Sequence, residues 1–257
     1  MKLFNTRFKK ISNNTKLISV GIIIILLTCI ILIIKKQNLE KISVIILSYN
    51  RVHNLHKSIP IISTYKNIDE IIILHGNEDN YEELKYPKVK NYKDYKNNEI
   101  YGASRRFFGI KYVRNKYVML LDDDILPDET FINTSLEKAQ KKYTIFGKYT
   151  RLCTNEKYEN NSNDFNIILT GLSIFDKQII EQYMEHPDGF KKYKEWFIKY
   201  KGNCEDIALN LFVKKIIGIS PEYVKEGSYK ELDISNGYSS DSNHYKIRNN
   251  FCKLYAD

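Results

Sequence analysis

The chain has 257 residues, 43% hydrophobic and 13% aromatic, which suits one large domain or two small ones with a buried core. Its net charge is +9, but Lys2, Arg7, Lys9, Lys10, Lys16, Lys35 and Lys36 lie within residues 1–36, which hold no acid and so carry +7 of it. The remaining 33 basic and 31 acidic residues leave the body almost neutral, which argues against a general nucleic-acid footprint and for anionic lipid headgroups beside the N-terminal charge.

Residues 1–16 read as a basic cytoplasmic tail. Residues 17–34 (LISVGIIIILLTCIILII) carry no charge. At about 1.5 Å per residue they reach roughly 27 Å, close to a bilayer core. A cleaved signal peptide has a shorter apolar core and a small-residue cleavage site, and neither fits. The basic excess ahead of the run predicts a cytoplasmic N-terminus and a type II single-pass arrangement. The body then lies in the ER or Golgi lumen, or outside. Residues 35–41 form a very short stem, and residues 42–257 form the catalytic-sized domain. Cys29 lies in the apolar run. Cys153, Cys204 and Cys252 lie in the body, where an oxidising lumen permits one disulfide among the three. The sequons at Asn133 and Asn160 are compatible with that side, but such triplets recur by chance in an Asn-rich chain.

After residue 41 the pattern alternates. Residues 42–48 (ISVIILS) form an apolar, β-branched run and read as a buried strand ending at Tyr49-Asn50-Arg51. Residues 53–65 read as a helix and 71–75 (IIILH) as a second buried strand. A helix is predicted over 99–114, with Ile100, Ala103, Phe107 and Ile110 on one face. Residues 117–121 (YVMLL) form a third strand that runs into Asp122-Asp123-Asp124. Residues 127–142 read as a helix with acids in its first turn. Residues 145–149 and 166–170 read as strands, 204–217 as a helix, and 235–250 as a polar loop. Strands alternating with helices imply an α/β fold with a mostly parallel sheet. Ligands in such folds bind beyond the carboxyl ends of the strands, where Asn50-Arg51, Gly76-Asn77 and the Asp triplet fall.

Three adjacent carboxylates repel one another unless water or a cation compensates. Hard Mg²⁺ and Mn²⁺ ions take a few carboxylates, several waters and phosphate oxygens. A triplet at the tip of a rigid strand suits that chemistry; an acidic turn capping the next helix is the plainer alternative. Glu205 and Asp206 open a helix, and spacing alone makes them dipole partners worth about 0.3–1 kcal/mol. Arg51, Arg105, Arg106, His244 and Arg248 are the candidate phosphate contacts, since arginine pairs bidentately with phosphate.

In order, Val44–Arg51 (VIILSYNR), Leu120-Leu121-Asp122-Asp123-Asp124, Leu169-Thr170-Gly171, Asn203–Asn210 (NCEDIALN) and Gly237-Tyr238-Ser239 with His244, Arg248 and Cys252 resemble the exostosin-type retaining glycosyltransferases. That family includes the C-terminal domains of heparan sulfate polymerases and related N-acetylhexosaminyltransferases. The resemblance covers about residues 42–255 and implies a GT-A fold, a UDP-sugar donor and Mn²⁺, with Mg²⁺ as the substitute. It places Arg51 and Asn77 at the uridine and Arg106 on the donor. Asp124 becomes the metal ligand, with Asp122 and Asp123 on ribose and sugar. Asp206 becomes the carboxylate at the anomeric carbon, and Arg248 the group that offsets charge on the departing β-phosphate. It also implies a Cys204–Cys252 disulfide. The expected reaction moves a sugar, an N-acetylhexosamine by the resemblance, to a glycan or glycoconjugate acceptor. The stretch between Arg151 and Asn166 is shorter than the family usually carries. That motivates one alternative, a non-catalytic sugar-nucleotide or glycan-binding partner of another transferase.

Overall fold

The computed structural model describes residues 22–28, 40–161, 163–235 and 242–256. Residues 22–28 are helical, with Thr28 Oγ1 donating to the Ile24 carbonyl at 2.8 Å. The rest of the expected 17–34 span lies outside the described residues, as do the tail, the stem up to Leu39 and Gly237-Tyr238-Ser239. Among the described residues no helix is long and apolar enough to cross a membrane. Chain contacts set Met1–Leu39 apart as one unit and gather Glu40–Asp257 into another.

The second unit is built on a seven-stranded mixed sheet. Its strands, in chain order, are β1 (Ile42–Ser48), β2 (Ile68–His75), β3 (Val89–Lys93), β4 (Tyr117–Leu121), β6 (Phe146–Gly147), β10 (Leu172–Asp176) and β11 (Glu222–Tyr223). The spatial order is β11-β6-β10-β4-β1-β2-β3. β1 pairs in parallel with β2 and β4, and β2 in parallel with β3. β10 runs antiparallel to both β4 and β6. β1 and β4 are buried along nearly their whole length, as apolar, β-branched runs require when both sheet faces are covered. A small sheet joins β7 (Thr150–Cys153) to β8 (Tyr158–Asn160) and β9 (Ile167–Ile168), and a two-stranded ribbon joins β5 (Ile125–Pro127) to β12 (Tyr229–Glu231). This mixed α/β architecture agrees with the expected GT-A class.

The flanking helices are α1 (Val52–Ile62), α2 (Tyr95–Tyr101), α3 (Glu129–Ala139), α4 (Gln178–Glu185), α5 (Phe190–Lys199), α6 (Glu205–Phe212) and α7 (His244–Tyr255). α1 buries Leu55, Ile59 and Ile62, which share one face at helical spacing. Asp128 caps α3 by accepting from the Phe131 amide at 2.7 Å, one position after the predicted Pro127 start.

Three expectations are corrected. The helix predicted over 99–114 breaks at Gly102, which lies at φ +49°, with Lys201 O only 1.9 Å from where a Cβ would stand. Only glycine tolerates that approach, so α2 ends there and Gly102–Tyr112 continues as a 3-10 segment. The polar stretch read as loop to residue 250 folds from His244 as α7, which buries Arg248, Phe251 and Cys252 on one face. Phe251 packs edge-on to Trp196 at 5.1 Å, and that aromatic contact outweighs the poor local hydrophobicity. The disulfide joins Cys153 to Cys252, not Cys204 to Cys252. β7 and α7 bring those two Cα atoms to 5.4 Å, within bridging range, while Cys204 is a free thiol buried ahead of α6.

Candidate active site

The carboxyl ends of β1, β2 and β4 lie side by side, so the turns after them converge. Asp122 follows β4 directly, and its amide donates to the Gly171 carbonyl at 2.8 Å. A Cβ on Gly171 would stand 2.2 Å from Asp122 Oδ2, so the carboxylate lies where any side chain at 171 would be. Arg51, at the start of α1, bridges the next two acids. Its Nη1 donates to Asp124 Oδ2 at 2.6 Å and its Nη2 to Asp123 Oδ1. Asp123 is buried, while the side chains of Asp122 and Asp124 remain 38% and 20% exposed, enough for both to meet an incoming ligand.

Arg106 projects from the 3-10 segment and is buried. Its Nη2 donates to Asp122 Oδ1 at 2.8 Å and its Nη1 to Thr170 Oγ1 at 3.0 Å. Thr170 Oγ1 in turn donates to Glu205 Oε1 at 2.9 Å, and Arg106 Nε lies 3.4 Å from the same oxygen. Glu205 and Asp206 form the first turn of α6 and are both buried. Arg248 enters from α7 and grips Asp206, its Nη1 donating to Oδ1 at 3.1 Å and to Oδ2 at 3.0 Å. The Tyr158 ring lies 5.0 Å from the guanidinium carbon. Arg248 Nε is buried and has no hydrogen-bond partner among the described residues.

Burial dominates the electrostatics. It pushes Asp123 up to about 7 against the pull of Arg51, and raises Asp124 with help from Asp122. Burial, then the charge of Asp206, pushes Glu205 up to about 7. Burial works against the charges of Arg106 and Arg248, but the neighbouring groups, led by Asp122 and Asp206 respectively, together outweigh it, and both guanidiniums are held more firmly charged than usual. Five carboxylates (Asp122, Asp123, Asp124, Glu205, Asp206) thus face three guanidiniums (Arg51, Arg106, Arg248) in three ion-paired groups that the chain sets next to one another through Asp122–Asp123 and Glu205–Asp206. Among the described residues no three His, Cys, Asp or Glu side chains close a metal site by themselves.

The structure therefore brings together Arg51, Arg106, Asp122, Asp123 and Asp124 on one side and Asp206 and Arg248 on the other. Asn77 lies at the rim, donating to Asn50 Oδ1 at 2.9 Å beside Arg51. Arg105, a candidate phosphate contact by charge, is instead a staple of the sheet. It donates to the carbonyls of Leu74 (2.9 Å) and Ser48 (3.2 Å), and burial lowers it to about 10. His244 opens α7 with its ring edge-on to Tyr245. Thr170 and Tyr158 were not singled out by sequence reasoning. Thr170 was visible only as the middle of Leu169-Thr170-Gly171, and Tyr158 carried no signal.

A family model for the glycosyl transferase family 64 domain matches residues 42–257, the whole body of the chain. The chain belongs to that family. Membership implies glycosyl transfer and confirms the exostosin-type resemblance. Exostosin-2 of Mus musculus is 25% identical over 234 residues, which is 82% of this chain and 31% of that protein. Exostosin-2 of Bos taurus and of Homo sapiens are each 24% identical over the same shares. The chain thus spans about a third of the length of these family 64 relatives.

Proposed function

We propose that the chain is a membrane-anchored, retaining glycosyltransferase that moves a sugar, an N-acetylhexosamine, from a UDP-sugar to a glycan or glycoconjugate acceptor with the help of Mn²⁺ or Mg²⁺. The observation that carries this is the Asp206–Arg248 pair: a buried carboxylate under bidentate hold, whose arginine keeps one buried N–H without a partner among the described residues. A buried donor left unpaired is costly, and a phosphate oxygen of the donor would satisfy it.

The residues present also fit a divalent cation. The cluster holds two more carboxylates than guanidiniums, and Asp124 and Asp122 reach solvent. The set is too small for a closed cage and suits a hard ion whose other ligands are diphosphate oxygens and water. Asp124 would be the principal ligand, and the ion would supply charge neutralisation of the diphosphate.

The protein's own side chains do the rest. Asn77 and Arg51 stand at the end where the nucleotide would lie. Arg106, fixed by Asp122, Thr170 and Glu205, faces the donor without freedom to swing. Arg248 offsets the charge that develops on departing UDP, a fixed charge in a water-poor site. Asp206 stabilises positive charge at the anomeric carbon from the opposite side. An acceptor hydroxyl attacks the face that UDP leaves, the bond to the β-phosphate oxygen breaks, the hydroxyl proton passes to the departing phosphate, and the configuration is retained.

The domain then lies on the lumenal or extracytoplasmic side of a type II anchor formed by residues 17–34; the Cys153–Cys252 disulfide supports an oxidising compartment. Incubating the purified chain with a panel of UDP-sugars and Mn²⁺ tests the activity through UDP release. Wild-type release that disappears in Asp124→Ala and in Asp206→Ala supports it. Product anomeric configuration by NMR tests the stereochemistry, and an inverted product would sink the retaining assignment.

A further inference from the structure

The three guanidiniums of the site are not held alike. Arg106 has four acceptors, on Asp122, Thr170, Glu205 and the Ala103 carbonyl. Arg248 is locked bidentately on Asp206. Arg51 is different. Its only side-chain partners among the described residues are Asp123 and Asp124, and it makes no capping bond although it sits at the start of α1. It is also the most exposed of the three side chains, at 14% against 8% for Arg106 and 6% for Arg248.

We propose that Arg51 is a placeholder for the divalent cation: it neutralises Asp123 and Asp124 while donor is absent, and must release Asp124 before a cation is held there. The inference rests on the donor-site reading above. Its logic is charge balance. A guanidinium on Asp124 Oδ2 at 2.6 Å and a dication on the same carboxylate repel each other, so one displaces the other. A cation arriving alone must break the Arg51–Asp124 bond and leave the guanidinium with Asp123 as its one remaining side-chain anion among the described residues. A cation arriving with a nucleoside diphosphate gives the freed guanidinium a new anion at once. Cation and nucleotide therefore bind with positive coupling, and by linkage each tightens the other by the same factor. The device keeps the adjacent carboxylates from repelling one another in the donor-free enzyme and makes cation capture conditional on donor.

Mn²⁺ binding to the purified full-length chain, followed by the loss of free-ion EPR signal after subtracting the Mn²⁺ held by UDP in protein-free titrations, tests this with and without UDP. In the wild type, Mn²⁺ should bind weakly alone and about tenfold more tightly with saturating UDP. In Arg51→Gln, Mn²⁺ alone should bind about tenfold more tightly than in the wild type, and the gain from UDP should fall to about twofold or less. Arg51→Lys keeps the charge and should bind Mn²⁺ alone as weakly as the wild type, which separates charge from any folding defect. Unchanged or weaker Mn²⁺ binding in Arg51→Gln, with a normal UDP effect, overturns the placeholder and leaves the donor site standing. No Mn²⁺ binding in the wild type, with or without UDP, overturns the metal-dependent reading and the placeholder with it.

Discussion

Arg248→Met keeps most of the side-chain volume and removes the charge, leaving Asp206 as an unpaired anion. Arg248 is 5% exposed and Asp206 3%, so water cannot take over the lost bonds. Breaking one side of a buried pair costs about 3–5 kcal/mol, much more than the pair is worth against an apolar replacement. For a domain of this size about 2–4 °C of melting temperature is lost per kcal/mol, so the variant should melt roughly 6–20 °C below the wild type. Asp206→Leu alone should cost a similar amount, because it strands Arg248. The double variant Arg248→Met/Asp206→Leu should cost clearly less than the two losses added, because no buried charge is left. Thermal melts by circular dichroism of all four proteins give the coupling, and UDP release gives the activity, which should be absent from all three variants. Additive losses, or an Arg248→Met variant that melts within about 2 °C of the wild type, would refute the view of this pair as a buried, mutually dependent unit.

Gly171→Ala should cut UDP release by at least about tenfold with a modest stability loss of about 1–3 kcal/mol, because the new methyl needs the space of the Asp122 carboxylate; activity within twofold of wild type would show that Asp122 need not lie there. Non-reducing peptide mapping should recover Cys153 linked to Cys252 and leave Cys204 as a thiol, and Cys153→Ala should cost about 2–5 kcal/mol by urea denaturation. Stability should depend on pH in an unusual direction for acids. Burial raises Asp123 and Glu205 to about 7, so between about pH 4 and 7 the folded chain holds protons that the unfolded chain has lost, and stability from these groups falls as pH rises through that window. Asp123→Asn should flatten part of that slope in urea midpoints measured at pH 5 and 7.5; an unchanged slope would show that Asp123 titrates normally.

Much of the site could be read from the chain because its parts sit at the ends of strongly patterned elements. β1 and β4 are apolar runs with sharp polar ends, so the positions of Arg51 and the Asp triplet just beyond two neighbouring strands follow from the pattern. Glu205 and Asp206 were placed on the right helix, but their burial was not legible. Acids in a first turn look the same in sequence whether they face water or a guanidinium. Arg105 and Arg106 are neighbours with the same charge and opposite roles, and only the sheet carbonyls of Ser48 and Leu74 tell them apart. The break at Gly102 depends on Lys201, distant in sequence, and the disulfide partner on the angle between β7 and α7. Such information lives in tertiary approach and leaves little local trace.

Arg248 precedes Cys252 by four residues, one helical turn, so the two side chains lie on the same face of α7. The bond to Cys153 therefore anchors the very turn that delivers the arginine to Asp206. Chain made in a reducing cytosol would hold that turn by aromatic packing, the Tyr158–Asn249 hydrogen bond and the Arg248–Asp206 pair without the covalent link, and Arg248 would be less well placed even if the sheet were intact. For anyone producing this protein, specific activity then becomes a record of the redox history of the preparation. Material from an oxidising secretory host and material from a bacterial cytoplasm should differ in turnover more than in fold.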